Sequence, residues 1–239
     1  MKAIFKRDFV AYFTSAIGYI YIGAYIFVLN LFFYLNNALG SNTSIAGMFS
    51  FMLMVMMFIT PILTMRVFSE EFKLKTDQLL MTTPVTPTSI VMGKFFSSFA
   101  VFGCLLVLTL LWPIVISIFG ENNTDEVLGN YIGIICIGAA YISIGVFVSA
   151  LTENQVIAAV GSLCIFIALY ILEIVAVMFY TSGVLPVFVL RLFLFISIYG
   201  RYNDITAGLL SLDSIVFFLS ACAVFLFLTM RVLEKRRLG

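Results

Sequence analysis

The sequence predicts an all-α membrane protein with six transmembrane helices, and three observations carry that prediction. The chain of 239 residues is 63% hydrophobic and only 10% charged, with a mean hydropathy of +1.16. Soluble domains are about 45–50% apolar and about 25% charged. The apolar residues gather into six runs, each about the 20 residues a helix needs to cross hydrocarbon. Between the second and third runs lies one long polar stretch, Ser69–Lys94 (SEEFKLKTDQLLMTTPVTPTSIVMGK). It cannot lie in hydrocarbon, because unpaired polar groups there are too costly.

The elements follow in order. Residues 2–15 (KAIFKRDFVAYFTS) place Ile4, Phe5, Phe9, Tyr12 and Phe13 on one helical face and Lys2, Lys6, Arg7 and Asp8 elsewhere. That pattern fits a helix lying in the membrane interface; a plain polar lead-in to the first span is the alternative. The first span covers about 16–36, and tyrosines 19, 21, 25 and 34 are suited to interfacial anchoring. After a short uncharged turn (37–44), the second span covers about 45–65. Its Met48, Met52 and Met56 share a face. Thioethers can bind Cu(I), but no Cys or His joins the row, so packing is the reading preferred.

The polar stretch comes next. The third span covers about 95–119, with Trp112-Pro113 near its far end. An acidic loop (120–129, GENNTDEVLG) leads to span four at about 130–151. TENQ (152–155) makes a tight turn into span five at about 156–180. Residues 181–212 interrupt an apolar background with Pro186, Arg191, Arg201, Asp204 and several glycines. The run 184–199 is too short to span and contains Pro and Arg, so it reads as a re-entrant or interfacial element on the outer face. Span six covers about 213–233, and the chain closes in EKRRLG.

Six spans put both termini and the turns at 66–94 and 152–155 on one side. That side holds eleven Lys and Arg, and the other holds only Arg191 and Arg201. Basic residues mark the cytoplasmic side. Both termini and the polar stretch are therefore expected in the cytoplasm.

The polar stretch has its own grammar. Ser69 is a candidate N-cap for a helix whose first turn holds Glu70 and Glu71, favourable at the positive end of the dipole. Pro84 stops that helix after Thr83. Thr86-Pro87 starts another, with Thr86 as cap and Pro87 at the first helical position, and the chain re-enters the membrane at Gly93-Lys94. A short amphipathic helix in a cytoplasmic turn can dock on a soluble partner and move two spans at once. A solvated loop is the alternative.

Composition excludes some chemistry. Without His the chain lacks the usual general base and metal ligand. The four cysteines lie singly in apolar runs and read as packing residues; no metal site is expected. No phosphate-binding loop occurs, since Gly93-Lys94 is followed by Phe95 and has no Gly five residues earlier. Glu173 is the one acidic residue deep in a predicted span, so it is a candidate for the transport path or gating. Its position near the outer interface also allows a structural pairing with Arg191.

These residues resemble the ABC-2-type transporter permeases. In the run EEFKLKTDQLLMTTPVTPTSIVMGK, Glu70, Glu71, Thr76, Leu79, Leu80, Pro84, Val85, Gly93 and Lys94 match the family's segment before span three. Lys75 departs from it, standing where the family commonly has Gly. The stretch ISIGVFVSALTENQVIAA (142–159) is similar to the family's link between spans four and five. YGRYNDITAGLLSLDSIVFFLS (199–220) resembles the lead into its last span, above all in the gliding-motility and nitrous-oxide-reductase-maturation branch. The resemblance implies one permease domain over 1–239, with residues 2–15 as an elbow helix. It implies a coupling helix after span two, contacting a separate ATP-binding-cassette ATPase through Glu70, Glu71, Phe72, Thr76, Leu79, Leu80 and Pro84. A second permease, identical or related, would complete the path in a bacterial or archaeal cytoplasmic membrane. ATP and Mg would be bound by the partner, leaving this chain no cofactor, no catalysis and no nucleic acid. The alternatives are an ion-coupled secondary transporter, which usually needs several intramembrane charges, and an intramembrane enzyme, which would need His or paired Asp.

Overall fold

A computed structural model describes residues 1–39, 46–76, 85–119, 124–181, 188, 197, 200–202 and 212–238. Among these residues the chain forms helices and no strand. The helices are α1 (Lys2–Thr14), α2 (Ala16–Phe33, continued by a π-helical turn Tyr34–Leu39), α3 (Ala46–Thr64) and α4 (Ser69–Leu74). They continue with α5 (Pro87–Thr109), α6 (Leu111–Phe119), α7 (Thr124–Leu151), α8 (Gln155–Thr181) and α9 (Leu212–Leu238).

Six helical segments among the described residues are long and apolar enough to cross a membrane: Ala16–Asn36, Gly47–Leu74, Pro87–Ile118, Val127–Leu151, Gln155–Thr181 and Leu212–Arg237. Two run about two turns further than the sequence reading. The second extends through Glu70 and Glu71 to Leu74, and the third begins at Pro87 rather than near 95. The earlier start has a local cause. Thr86 is extended, and its Oγ1 accepts from the Ser89 amide (3.4 Å), with Pro87 at the first helical position. The third span breaks at Leu110, one turn before Pro113, whose ring removes an amide donor from the ladder.

Spans two and four form the centre. Of their most apolar windows 67% and 78% is buried, against 18–22% for spans one, five and six. The latter three therefore present most of their surface outward, as helices in lipid or against another subunit do. Packing is close because small residues let helices approach. A Cβ at Gly145 of α7 would fall 2.2 Å from Thr64 Oγ1 of α3, and one at Gly138 would meet the Phe102 ring of α5. The methionine row is core: Met48, Met52 and Met56 are all buried, and the Met52 carbonyl accepts from Tyr25 (2.8 Å). At the end of the bundle away from α1, Trp112 Nε1 donates to Asn30 Oδ1 (2.9 Å), tying the third span to the first. The four cysteines are free thiols. The expected outer element at 184–199 lies, apart from isolated residues, outside the described residues.

Candidate functional site: the charged end of the bundle

The end of the bundle that carries α1 gathers most of the chain's ionised side chains. Here α1 packs along α5 and α2, and α4 touches α7 and α8. The apolar face of α1 faces inward as its sequence pattern requires. Ile4 lies against Gly93, Phe5 stacks on Phe9, Phe13 meets Phe9 edge-on, and Tyr12 is buried. The other end of the chain arrives at the same place. Arg236 lies over the Phe72 ring (4.1 Å) and 3.7 Å from Glu153, and Arg237 donates to the Val85 carbonyl (3.3 Å). The segments that charge counting assigned to one side thus meet at one end.

Within this end, four charges close a ring. Arg7 pairs with Asp8 (2.7 Å) and with Glu71 (2.5 Å); Lys94 pairs with Glu71 (2.9 Å) and with Asp8 (3.4 Å). The ring sums to zero, which lets Lys94 be 97% buried. Burial works against the Arg7 charge, but its bonds to Asp8 and Glu71 raise its pKa overall. Beside the ring, Arg66 holds Glu70 through two nitrogens (2.5 and 3.0 Å) and donates to Ser15 (2.9 Å) at the α1–α2 joint. These groups surround a cavity of about 220 Å³. Its lining holds three basic side chains (Arg7, Arg66, Lys94) and three acidic ones (Asp8, Glu70, Glu71), so its formal charges balance.

The ring sits against a break in span two. Between α3 and α4, residues Met65–Phe68 form turns rather than α-helix, and backbone groups in them and just before them are met by side chains of three other helices. Tyr12 of α1 donates to the Leu63 carbonyl (3.1 Å). Ser149 of α7 accepts from the Phe68 and Ser69 amides (3.0 and 3.1 Å) and donates to the Met65 carbonyl (3.0 Å). Lys94 of α5 donates to the Val67 carbonyl (2.7 Å). Ser69 is therefore not the helix cap that its sequence position promised. Its hydroxyl turns back to the Met65 carbonyl, and Ser149, 80 residues away, serves the first amides of α4.

α4 is also shorter than the expected helix, which was to continue to Thr83. It ends at Leu74 because Lys75 takes the left-handed conformation (φ 56°, ψ 22°). The Lys75 amide donates to the Phe72 carbonyl (3.2 Å) and the Thr76 amide to the Glu71 carbonyl (3.0 Å), which is a Schellman cap. Glycine suits that position best, so the departure of Lys75 from the family pattern falls where the pattern has a physical reason.

The predicted coupling residues thus separate. Glu70 and Glu71 turn inward to Arg66, Arg7 and Lys94, and Phe72 is buried between Phe68 and Arg236. Thr76 is exposed, as are Lys73, Leu74 and Lys75. Leu79, Leu80 and Pro84 lie outside the described residues. Glu173 falls within α8, but its side chain and Arg191 lie outside the described residues. Sequence reasoning missed Lys94 as a buried ion-pair centre and Ser149 as a cap. Lys94 left a trace, being a lone cation two turns inside a helix started by Thr86-Pro87. Ser149 left none.

Residues 11–238 match the family model described as ABC-2 family transporter protein. The chain belongs to that family. It is a membrane-embedded, multi-pass subunit of an ABC transporter, and membership implies an ATPase partner subunit. No curated protein sequence matches the chain.

Proposed function

We propose that this ABC-2 permease belongs to an ATP-driven exporter, with the segment after span two as its coupling element. The supporting observation is the form of that segment's start. α4 is pinned on its inner side by Glu70 and Glu71, while Leu74 is 65% exposed between Lys73, Lys75 and Thr76 at the helix end. An exposed leucine with a polar rim is the kind of surface a soluble subunit can cover. In this reading Glu70 and Glu71 position the element, Phe72 roots it, and Leu74, Thr76, Leu79, Leu80 and Pro84 carry contacts with the ATPase. ATP and Mg belong to that partner, and this chain does no covalent chemistry.

The reading has α1 in the cytoplasmic interface and both termini in the cytoplasm of a bacterial or archaeal cell. A second permease, identical or related, packs on the outward surfaces of the less buried spans, and Glu173 contributes to the path.

The test places a photo-crosslinking amino acid at Leu74 or Thr76 of the full chain, expressed in its native host so that its own ATPase partner is present. A crosslink to that ATPase that changes with bound nucleotide is expected. A chain that captures no ATPase and transports alone under an ion gradient would overturn the proposal in favour of secondary transport.

A further inference from the structure

Span two is a single membrane-crossing segment with a run of turns inside it, and side chains of other helices hold those turns alongside the local bonds of the Met65 amide to Pro61 and the Val67 amide to Thr64. Regular α-helix places an amide donor four residues after every carbonyl. At Val67 that role is taken by the Lys94 ammonium at 2.7 Å. An ammonium has three protons. The Lys94 ammonium donates to the Val67 carbonyl and pairs with Glu71 Oε2 at 2.9 Å, while Asp8 Oδ2, at 3.4 Å, is within ion-pair range without a hydrogen bond. The Phe68 ring, 5.0 Å from the ammonium, covers a further side. One side chain of the third span therefore touches the break, the helix beyond it and α1.

We propose that Met65–Phe68 is a joint in span two and that Lys94 is the positioning residue that latches it. Latched, the direction of α4 is set by α5 and α1 rather than by the axis of α3. The anchoring points are unequal in chemistry. Ser149 holds the joint with neutral hydrogen bonds, whereas Lys94 holds it with a charge that must keep its carboxylates. Released, Met65–Phe68 can seek its own helical bonds, and α4 swings with it. The importance of the joint for coupling rests on the function proposed above; the existence of the latch does not.

The experiment measures amide hydrogen exchange in the full chain, purified in lipid nanodiscs without any partner. Four proteins are compared: wild type, Lys94→Met, Lys94→Arg, and the triple variant Lys94→Met/Asp8→Asn/Glu71→Gln. The single Met variant leaves two part-buried carboxylates sharing Arg7 as their one cation and is expected to lose thermal stability. The triple variant removes both carboxylates with Lys94 and leaves only Arg7, whose half-exposed side chain water can solvate, so it should recover most of that stability. The latch predicts that exchange at 65–69 rises at least tenfold in both Met-containing variants, despite the recovered stability of the triple. Lys94→Arg, which keeps donors for the carbonyl, should stay within threefold of wild type. Exchange at 65–69 returning to the wild-type rate in the triple variant would overturn the proposal, because charge balance alone would then explain Lys94. An unchanged rate in Lys94→Met would overturn it as well. Failure to find an ATPase partner would sink the coupling reading and leave these rates untouched.

Discussion

Ser149→Ala is the sharpest test of the break in span two. The hydroxyl accepts from two amides and donates to one carbonyl, and its own residue is fully buried. Alanine fits the same space and keeps α7 helical, so packing changes little. What changes is that the Phe68 and Ser69 amides lose this acceptor where water does not reach. An orphaned buried donor costs about 1–3 kcal/mol. Measured hydrogen bonds between membrane helices average about 0.6 kcal/mol, because the reference state finds other partners. Taking each of the two amides at about 1–2 kcal/mol, between those figures, gives a loss of about 2–4 kcal/mol. For a chain of this size each kcal/mol moves the melting temperature by about 2–4 °C, so a fall of at least about 4 °C is expected. The assay is a thermal melt in nanodiscs at one fixed scan rate, since membrane proteins unfold irreversibly. Ser162→Ala is the control. That serine is equally buried, but its hydroxyl bonds carbonyls of its own helix, Ala158 and Ala159 (2.9 and 3.0 Å). Its loss orphans no amide. If Ser149→Ala melts within about 1 °C of Ser162→Ala, the amides have other partners and the account of the break is wrong.

Three further outcomes follow from the same geometry. Lys75→Gly should stabilise the end of α4 by about 0.5–1 kcal/mol and Lys75→Val should cost at least as much, because φ 56° suits glycine and opposes a β-branched residue; the readout is amide exchange at Thr76. Gly145→Ala should destabilise the bundle by about 1–3 kcal/mol, since the new methyl meets Thr64 Oγ1, and Thr64→Ala should recover part of that loss in a thermal melt. Cysteines placed at Glu153 and Arg236, in a chain whose four native cysteines are replaced, should be joined by a short bifunctional thiol reagent, because those side chains meet at 3.7 Å. No cross-linked product would mean that the C-terminal end of α9 and the turn between spans four and five do not meet.

What the sequence revealed, and what it hid, divides along the range of the interactions involved. The spans were legible because burial in hydrocarbon acts on every residue of a run and leaves twenty-residue signatures. The Thr86-Pro87 start was legible because a cap is made three residues away, by Thr86 and the Ser89 amide. The inward face of α1 was legible from the spacing of its aromatics. The cap of α4 was not, because Ser69 and Ser149 are both serines in helical contexts and only the fold decides which one meets the Ser69 amide. The partners of two carboxylates were hidden for a related reason. Glu70 and Glu71 in the first turn of a helix are favoured by local rules whichever way their side chains turn. In the fold, the neighbouring Arg66 and the distant Arg7 and Lys94 claim them first. That bears on function. Removing Lys94 together with Asp8 and Glu71, which leaves only the half-exposed Arg7, should cost less than removing Lys94 alone. A mutation at Glu71 that disrupts transport would therefore report first on the ring. A surface for the ATPase has to be sought among the residues that the ring leaves exposed, starting at Leu74.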